Sequence, residues 1–116
     1  MEINDITGEI VSAAMKVHSA LGPGLFESTY QVCMRHELQN KGLRVVHEHA
    51  LPIIYGDLRI ESGYRVDLLV EDTVIVELKS VAQLLPLHQK LSRRPVGLLI
   101  NFNVPHLRHG IKRMAN

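Results

Sequence analysis

Three charged side chains stand in an otherwise apolar part of the chain, the stretch RVDLLVEDTVIVELK from Arg65 to Lys79. Asp67 lies near its start, and Glu77 and Lys79 lie near its end. Carboxylates and an ammonium in strand-like sequence are costly to bury, so they need partners or a chemical role. Two carboxylates and a lysine are groups that a divalent-metal site for phosphodiester hydrolysis uses. We interpret the stretch as two strands carrying such a site.

The turn between the two strands decides whether Asp67 and Glu77 lie together, because side chains alternate between the faces of a strand. A two-residue turn would point Asp67 away from Glu77. A three-residue turn, Glu71-Asp72-Thr73, would place the two carboxylates directly opposite each other, with Cβ atoms about 5 Å apart. We predict the three-residue turn, which leaves the other face wholly apolar. That face consists of Val66, Leu68, Val70, Val74, Val76 and Leu78, and Leu69 and Ile75 share the face of the carboxylates.

Two carboxylates this close repel each other unless positive charge lies beside them. Lys79 supplies one charge, and Mg²⁺ or Mn²⁺ would supply two more. Mg²⁺ commonly binds one or two carboxylates, several waters and a substrate phosphate. Lys79 would then orient the attacking water or help to deprotonate it. The residues alone leave a second interpretation open, a buried Asp–Lys–Glu network without catalysis.

Two helices precede the strands. Apolar residues recur every three or four positions from Ile3 to Leu21, which predicts one helix, with Asn4 or Asp5 as its cap and Gly22-Pro23-Gly24 as its end. A second helix is predicted from about Phe26 to Lys41. Its buried face would be Phe26, Tyr30, Cys33, Met34 and Leu38.

Three polar residues of these helices are further site candidates. Glu27 falls in the first turn of the second helix, where the helix dipole favours a carboxylate, so a purely structural role explains it as well. Tyr30 follows three residues later and neighbours it. His18 lies beside the apolar face of the first helix, as a structural group or as a polar helper of the site.

From Leu43 onwards the pattern indicates strands, with a bulge at Ser62-Gly63 and central, two-sided strands in 65–79. A short helix is predicted over about 86–93, then a buried strand VGLLINF, then a helical turn within 104–116. The order is helix, helix, three strands, helix, strand, helix. It predicts an α/β fold with a mixed four-stranded sheet flanked by helices.

Composition favours a single domain spanning 1–116, with one cysteine, no signal peptide and no membrane-spanning run, and hence a cytoplasmic protein. Charge is unevenly distributed. Residues 1–77 hold six Lys/Arg and twelve Asp/Glu, a net of −6, whereas residues 78–116 hold seven Lys/Arg and no acid, a net of +7. The basic third either faces a polyanion or pairs with the acidic half. Its candidate nucleic-acid contacts are Arg93, Arg94, Arg108, Lys112 and Arg113.

Three segments together resemble a known family. MKVHSALGPGLFESTY resembles the signature of the GxxExxY family at Gly24, Glu27 and Tyr30, and RVDLLVEDTVIVELK and VGLLINFNV with a terminal GIKR resemble its later blocks. That family is similar to the PD-(D/E)xK nuclease superfamily, which implies a restriction-endonuclease-like αβββαβ core. The resemblance implies that Asp67 and Glu77 are metal ligands, Lys79 the catalytic lysine, and Glu27 a further acidic ligand.

One segment departs from that family. Its members carry a longer crossover helix with a glutamine and a tyrosine, whereas the region around Leu87–Ser92 is several residues shorter and has no tyrosine. The resemblance aligns Gln89 with the glutamine. The leading hypothesis is a Mg²⁺- or Mn²⁺-dependent nuclease acting on DNA or RNA. The alternatives are a catalytically degenerate module that binds nucleic acid or protein, and a homo-oligomer or partner subunit that completes the shortened crossover.

Overall fold

The computed structural model describes residues 1–84 and 96–115. It confirms the α/β class: two helices are followed by strands that form one mixed sheet. The helices are α1 (Ile3–Leu21) and α2 (Glu27–Asn40), and the strands are β1 (Val45–Tyr55), β2 (Leu58–Val70), β3 (Val74–Lys79), β4 (Val96–Asn101) and β5 (Ile111–Ala115).

The sheet has five strands in the order β1-β2-β3-β4-β5, so β3 is its centre. β3 and β4 run parallel, and every other neighbouring pair is antiparallel. All six residues of β4 are buried, as are all of β3 except the half-buried Lys79. Continuous apolar runs predicted buried, central strands here, and the structure confirms that prediction.

The prediction of four strands was wrong, because residues 111–115 form β5 on the edge of β4, and the helical turn predicted within 104–116 is confined to three residues before that strand. A short 3₁₀ turn, Leu107–His109, and Gly110 reverse the chain so that β5 pairs with β4. Gly110 lies so close to the carbonyl oxygen of Asn101 that a Cβ would stand 2.1 Å from it. Six residues are too few for a stable helix, whereas a strand satisfies the open edge of β4.

The main hydrophobic core lies between the two helices and one face of the sheet. Its α1 residues recur at helical spacing, and Tyr30, Met34 and Leu38 of α2 lie one turn apart, as predicted. Phe26 does not join them: it precedes the helix in an extended conformation and is 83 % exposed. A smaller cluster on the opposite face of the sheet contains Val66, Leu69 and Ile75 with Leu51 and Tyr64.

β1 and β2 form a long hairpin whose outer half projects from the core. Gly56-Asp57 makes a two-residue turn in which Gly56 has φ +57°, as a type II′ turn requires at its first position. The register shifts opposite Ser62-Gly63, where the bulge was predicted. Tyr55 beside the turn is 77 % exposed, and the inner end of β2, Leu68–Val70, is buried.

The predicted crossover helix at 86–93 and its reduced length lie outside the described residues. None of the helices in the described ranges is long and apolar enough to cross a membrane.

Candidate active site

The turn between β2 and β3 has three residues, as predicted. Val70 pairs with Val74 around Glu71-Asp72-Thr73, and the Thr73 N–H donates to the Val70 carbonyl at 3.0 Å. Glu71 and Asp72 have φ +52° and +51°, which closes the turn in the left-handed region. The pairing continues through Leu69–Ile75 to Leu68–Val76, and the next positions along it are Asp67 and Glu77.

The regular ladder between β2 and β3 ends where the carboxylates begin. The Leu78 N–H donates to Asp67 Oδ2 at 2.7 Å, so a side chain of β2 takes a backbone donor of β3. The alternation of faces along β2 breaks at this point. Val66, predicted on the packed face, instead lies in the opposite cluster with Leu69 and Ile75, and that detail of the prediction was wrong.

The same break brings Tyr64 to the carboxylates. Its hydroxyl donates to Glu77 Oε1 at 3.2 Å. Strict alternation along β2 would have placed Tyr64 on the other face from Asp67 and Glu77, so Tyr64 was not predicted as a site residue. The Tyr64 phenol therefore belongs to the site because the backbone of β2 is irregular at Asp67.

The carboxylate pair is costly to ionise where it lies. Glu77 is only 7 % exposed. Burial, then the charge of Asp67, raise the pKa of Glu77 to about 7, although Lys79 and the Tyr64 hydroxyl act in the opposite direction. Burial also raises the pKa of Asp67, and it raises that of Tyr64 to about 12, with Glu77 contributing to the second shift. Carboxyl groups perturbed by burial and by a like charge are candidates for a functional site.

Lys79 ends β3 two residues beyond Glu77, on the same face. Its attraction opposes burial by lowering the pKa of both Asp67 and Glu77. Its backbone is fixed by the sheet, because Lys79 pairs with Asn101 of β4 and its carbonyl accepts the Phe102 N–H at 2.9 Å. The structure thus brings together Asp67, Glu77 and Lys79.

Two further acids act on Asp67 from other elements. After burial, the charges of Glu48 and of Glu27 add to the rise in the pKa of Asp67. Glu27 is exposed in the first turn of α2. Glu48 lies in β1 between the pairs that flank Asp67, has φ +51°, and accepts a hydrogen bond from Gln31 Nε2 at 2.8 Å. Glu48 was not predicted from the sequence, because its position depends on the register between β1 and β2.

The donor set suits a hard cation. Within residues 1–84 and 96–115, no group of three His, Cys, Asp or Glu side chains gathers closely enough to hold a metal ion. Two adjacent carboxylates nevertheless match the one or two that Mg²⁺ commonly takes from a protein, since water and phosphate complete its shell. Asp67 and Glu77 are the residues that fit, and of the two the charge of Glu27 acts on Asp67 alone.

Tyr30 and His18 lie in structural contacts. Tyr30 is fully buried, stacks on Phe102 at a centroid distance of 4.3 Å, and donates its hydroxyl proton to the Gly22 carbonyl at 2.6 Å. It also accepts the Leu25 N–H at 3.2 Å, so it fixes the loop from which α2 starts with Glu27. His18 Nε2 lies 2.8 Å from the Val104 carbonyl, a contact between α1 and the loop after β4.

The basic candidates of the C-terminal third are divided by β5. Arg113 pairs with Leu98, faces α1, and donates to Asn4 Oδ1 at 2.9 Å and Thr7 Oγ1 at 3.2 Å. Lys112 pairs with Leu99, which itself pairs with Glu77, so it lies on the face of the carboxylates. Arg108 is exposed in the 3₁₀ turn. Arg93, Arg94 and Gln89 lie outside the described residues.

A five-stranded mixed sheet with two leading helices, carrying Asp67, Glu77 and Lys79 on its central strands, is the arrangement of a restriction-endonuclease-like fold. The family model of the PD-(D/E)XK nuclease superfamily matches residues 4–114. The chain therefore belongs to the PD-(D/E)XK nuclease superfamily. No curated protein and no solved structure gives a significant match.

Proposed function

We propose that this chain is a metal-dependent nuclease of the GxxExxY type, which hydrolyses phosphodiester bonds of DNA or RNA. The observation that carries the proposal is the pair Asp67 and Glu77, adjacent and largely buried, with Lys79 beside them in a member of this superfamily. Gly24, Glu27 and Tyr30 support the narrower family assignment. The proposal covers 1–116 as one domain.

Asp67 and Glu77 would hold Mg²⁺ or Mn²⁺ through their carboxylate oxygens. When bound, such an ion lowers the pKa of water and neutralises charge on the phosphate that is attacked. Hydrolysis joins the water oxygen to phosphorus and breaks the bond to the leaving sugar oxygen, which takes up a proton. Lys79 orients the attacking water and a phosphate oxygen at this position. Glu27 and Glu48 add negative potential that favours a cation at Asp67.

Calorimetry with Mg²⁺ and Mn²⁺ tests the metal site. Wild type should bind, and Asp67→Asn should weaken binding at least tenfold, because it removes a ligand charge. The matched control is Asp57→Asn, the same substitution on the exposed turn of the β1–β2 hairpin, and it should leave binding unchanged. A wild-type protein that binds neither ion at millimolar concentration contradicts the metal site.

Cleavage of single- and double-stranded DNA and RNA tests the activity. Lys79→Ala should lower the rate by about 10²-fold or more, the usual contribution of a positioned proton-transfer group, while metal binding is retained. Lys16→Ala is the control, since its side chain is 71 % exposed on α1. Unaltered cleavage in Lys79→Ala would contradict the role of that residue.

A second candidate function is a nuclease-fold module that binds nucleic acid or a protein partner without cleavage. It is favoured by the finding that no third metal ligand gathers at the carboxylate pair in the described part of the chain. Metal binding without cleavage of any of the four substrates would support this candidate over the nuclease.

A further inference from the structure

A groove of about 670 Å³ opens where the C-terminal end of α1 meets the loop that follows β4. Its volume lies within the range of small-molecule sites and exceeds that of a single ion. Its walls combine apolar and polar side chains. They include Met15, His18, Ser19, Pro23, His106 and Arg108.

The groove is lined by basic side chains. No Asp or Glu occurs among its described lining residues, whereas His18, His106 and Arg108 all contribute to it. The Val104 carbonyl can only accept, so His18 Nε2 carries the proton of their 2.8 Å contact and the ring is held in place. Arg108 is charged at every physiological pH and offers a planar set of donors that matches phosphate. Arg108 and the N–H of the His106 ring therefore suit an anion, whereas His18, whose Nε2 proton is donated to Val104, holds one wall of the groove in place.

The groove is tied to the residues that follow Lys79. The loop that forms one wall follows Phe102, whose N–H donates to the Lys79 carbonyl at 2.9 Å. The opposite wall includes Gly22 and Pro23, at the end of α1. Ser80 Oγ donates to the nearby Leu25 carbonyl at 2.6 Å, and the Tyr30 hydroxyl donates to the Gly22 carbonyl. His106 is four residues beyond Phe102, which is itself hydrogen-bonded to Lys79, so the backbone of His106 lies within roughly 20 Å of the end of β3. A few nucleotides of one strand span that distance.

We propose that this groove binds a backbone phosphate of the nucleic acid, a few nucleotides from the bond that is cleaved, with Arg108 and His106 as its principal donors. The inference rests on the proposed function for its ligand. The groove lies on the helix side of the sheet and the carboxylates lie on the opposite face, so the strand would pass around the carboxyl ends of β3 and β4 to contact both. Met15 and the two prolines, Pro23 and Pro105, offer apolar walls to the adjoining sugar or base.

The first test uses NMR of the histidine rings in EDTA, with inorganic phosphate and then a twelve-nucleotide DNA strand as probes. Both probes should shift the His18 and His106 signals, and Arg108→Gln should weaken both responses. If neither probe shifts these signals, the groove does not bind phosphate. If phosphate alone shifts them, the anion site stands and its assignment to a nucleic-acid backbone is overturned.

The second test measures binding of the same DNA strand at several salt concentrations, again in EDTA so that metal binding and cleavage play no part. Arg108→Gln should weaken binding about three- to tenfold and lower the salt slope by about 0.7, the value for one phosphate contact on a single strand. His106→Gln should act in the same direction. Arg59→Gln is the matched control, because Arg59 lies on the projecting hairpin and pairs with Glu61.

The two variants separate failure of this inference from failure of the proposed function. If Arg108→Gln binds the strand as wild type does while Asp67→Asn abolishes metal-dependent cleavage, the phosphate site in the groove is contradicted and the nuclease activity is supported. If Arg108→Gln weakens strand binding while no wild-type preparation cleaves, the groove stands and the nuclease is wrong.

Discussion

Two sets of carboxylates in this molecule have opposite surroundings. Within residues 1–84 and 96–115, four glutamates form ion pairs with Lys or Arg, and all four belong to the surface of helices, hairpin or turn. Asp67 and Glu77 form no such pair in the same ranges; a backbone N–H and a tyrosine hydroxyl contact them instead. The paired set is Glu9 with Lys41, Glu37 with Lys16, Glu61 with Arg59, and Glu71 with Arg44.

Electrostatic repulsion therefore remains in the folded protein at Asp67 and Glu77 and not at the surface pairs. Surface ion pairs contribute little, and water screens them. Asp67 and Glu77 are desolvated, adjacent and of like charge, so their ionised forms oppose folding and favour a cation. A bound cation would remove this electrostatic cost, which supports the proposed metal site.

The largest effect should come from Glu77→Gln in metal-free buffer. Because the pKa of Glu77 rises from 4.5 unfolded to about 7 folded, the folded protein holds a proton that the unfolded chain releases. Stability is therefore lost as pH rises between these values, and the full cost is present above pH 7. Glu77→Gln should be more stable than wild type by up to about 3 kcal/mol at pH 8, with little difference below pH 4.5.

Urea unfolding at pH 4.5, 6 and 8 measures this difference. A gap between wild type and Glu77→Gln that is the same at all three pH values would contradict a raised pKa at Glu77. A difference in unfolding free energy that increases from pH 4.5 to pH 6 and again to pH 8 would support a raised pKa at Glu77 and sharpen the contrast with the surface acids.

A smaller effect is expected from Tyr64→Phe, which removes the hydroxyl that donates to Glu77 Oε1. That hydrogen bond lowers the pKa of Glu77 against the larger effect of burial, so its loss should raise the pKa further. The free energy of unfolding should fall by about 1 kcal/mol at pH 8, where Glu77 is ionised, and change little at pH 4.5. Tyr55→Phe serves as control, since Tyr55 is 77 % exposed.

NMR titration of the Glu77 carboxyl in the two tyrosine variants provides the direct measurement. An unchanged midpoint in Tyr64→Phe would show that the hydroxyl does not act on Glu77. In the Glu77→Gln background, Tyr64→Phe should lower the free energy of unfolding at pH 8 by less than it does in wild type, because the carboxylate that the hydroxyl contacts is absent.

The sequence predicted those parts of the site that local alternation determines. The three-residue turn and the register follow from requiring one apolar face on β2 and β3, and this placed Asp67, Glu77 and Lys79 together. Tyr64 escaped prediction because Asp67 takes the Leu78 N–H and breaks the alternation. Glu48 escaped because its place opposite Asp67 depends on pairing between β1 and β2.

The fold was predictable to a similar depth. Helical spacing located α1 and α2, and continuous apolar runs located β3 and β4. β5 was missed because IKRMA has no decisive periodicity, and the open edge of β4 decides its conformation. Arg113 illustrates the consequence: it was a candidate nucleic-acid contact, but on β5 it faces α1 and bonds Asn4 and Thr7.

The smallest effect should come from Glu61→Gln, the same substitution on a surface acid. Glu61 and its partner Arg59 have side chains 72 % and 58 % exposed, so both charges remain largely hydrated when the protein folds. The free energy of unfolding should change by less than about 1 kcal/mol, at pH 6 and pH 8 alike, and by still less in about 1 M salt. Urea unfolding under these conditions checks it beside Glu77→Gln. A change as large and as pH-dependent as that of Glu77→Gln would mean that burial beside Asp67 does not set Glu77 apart, and the contrast between the two sets of carboxylates would fail.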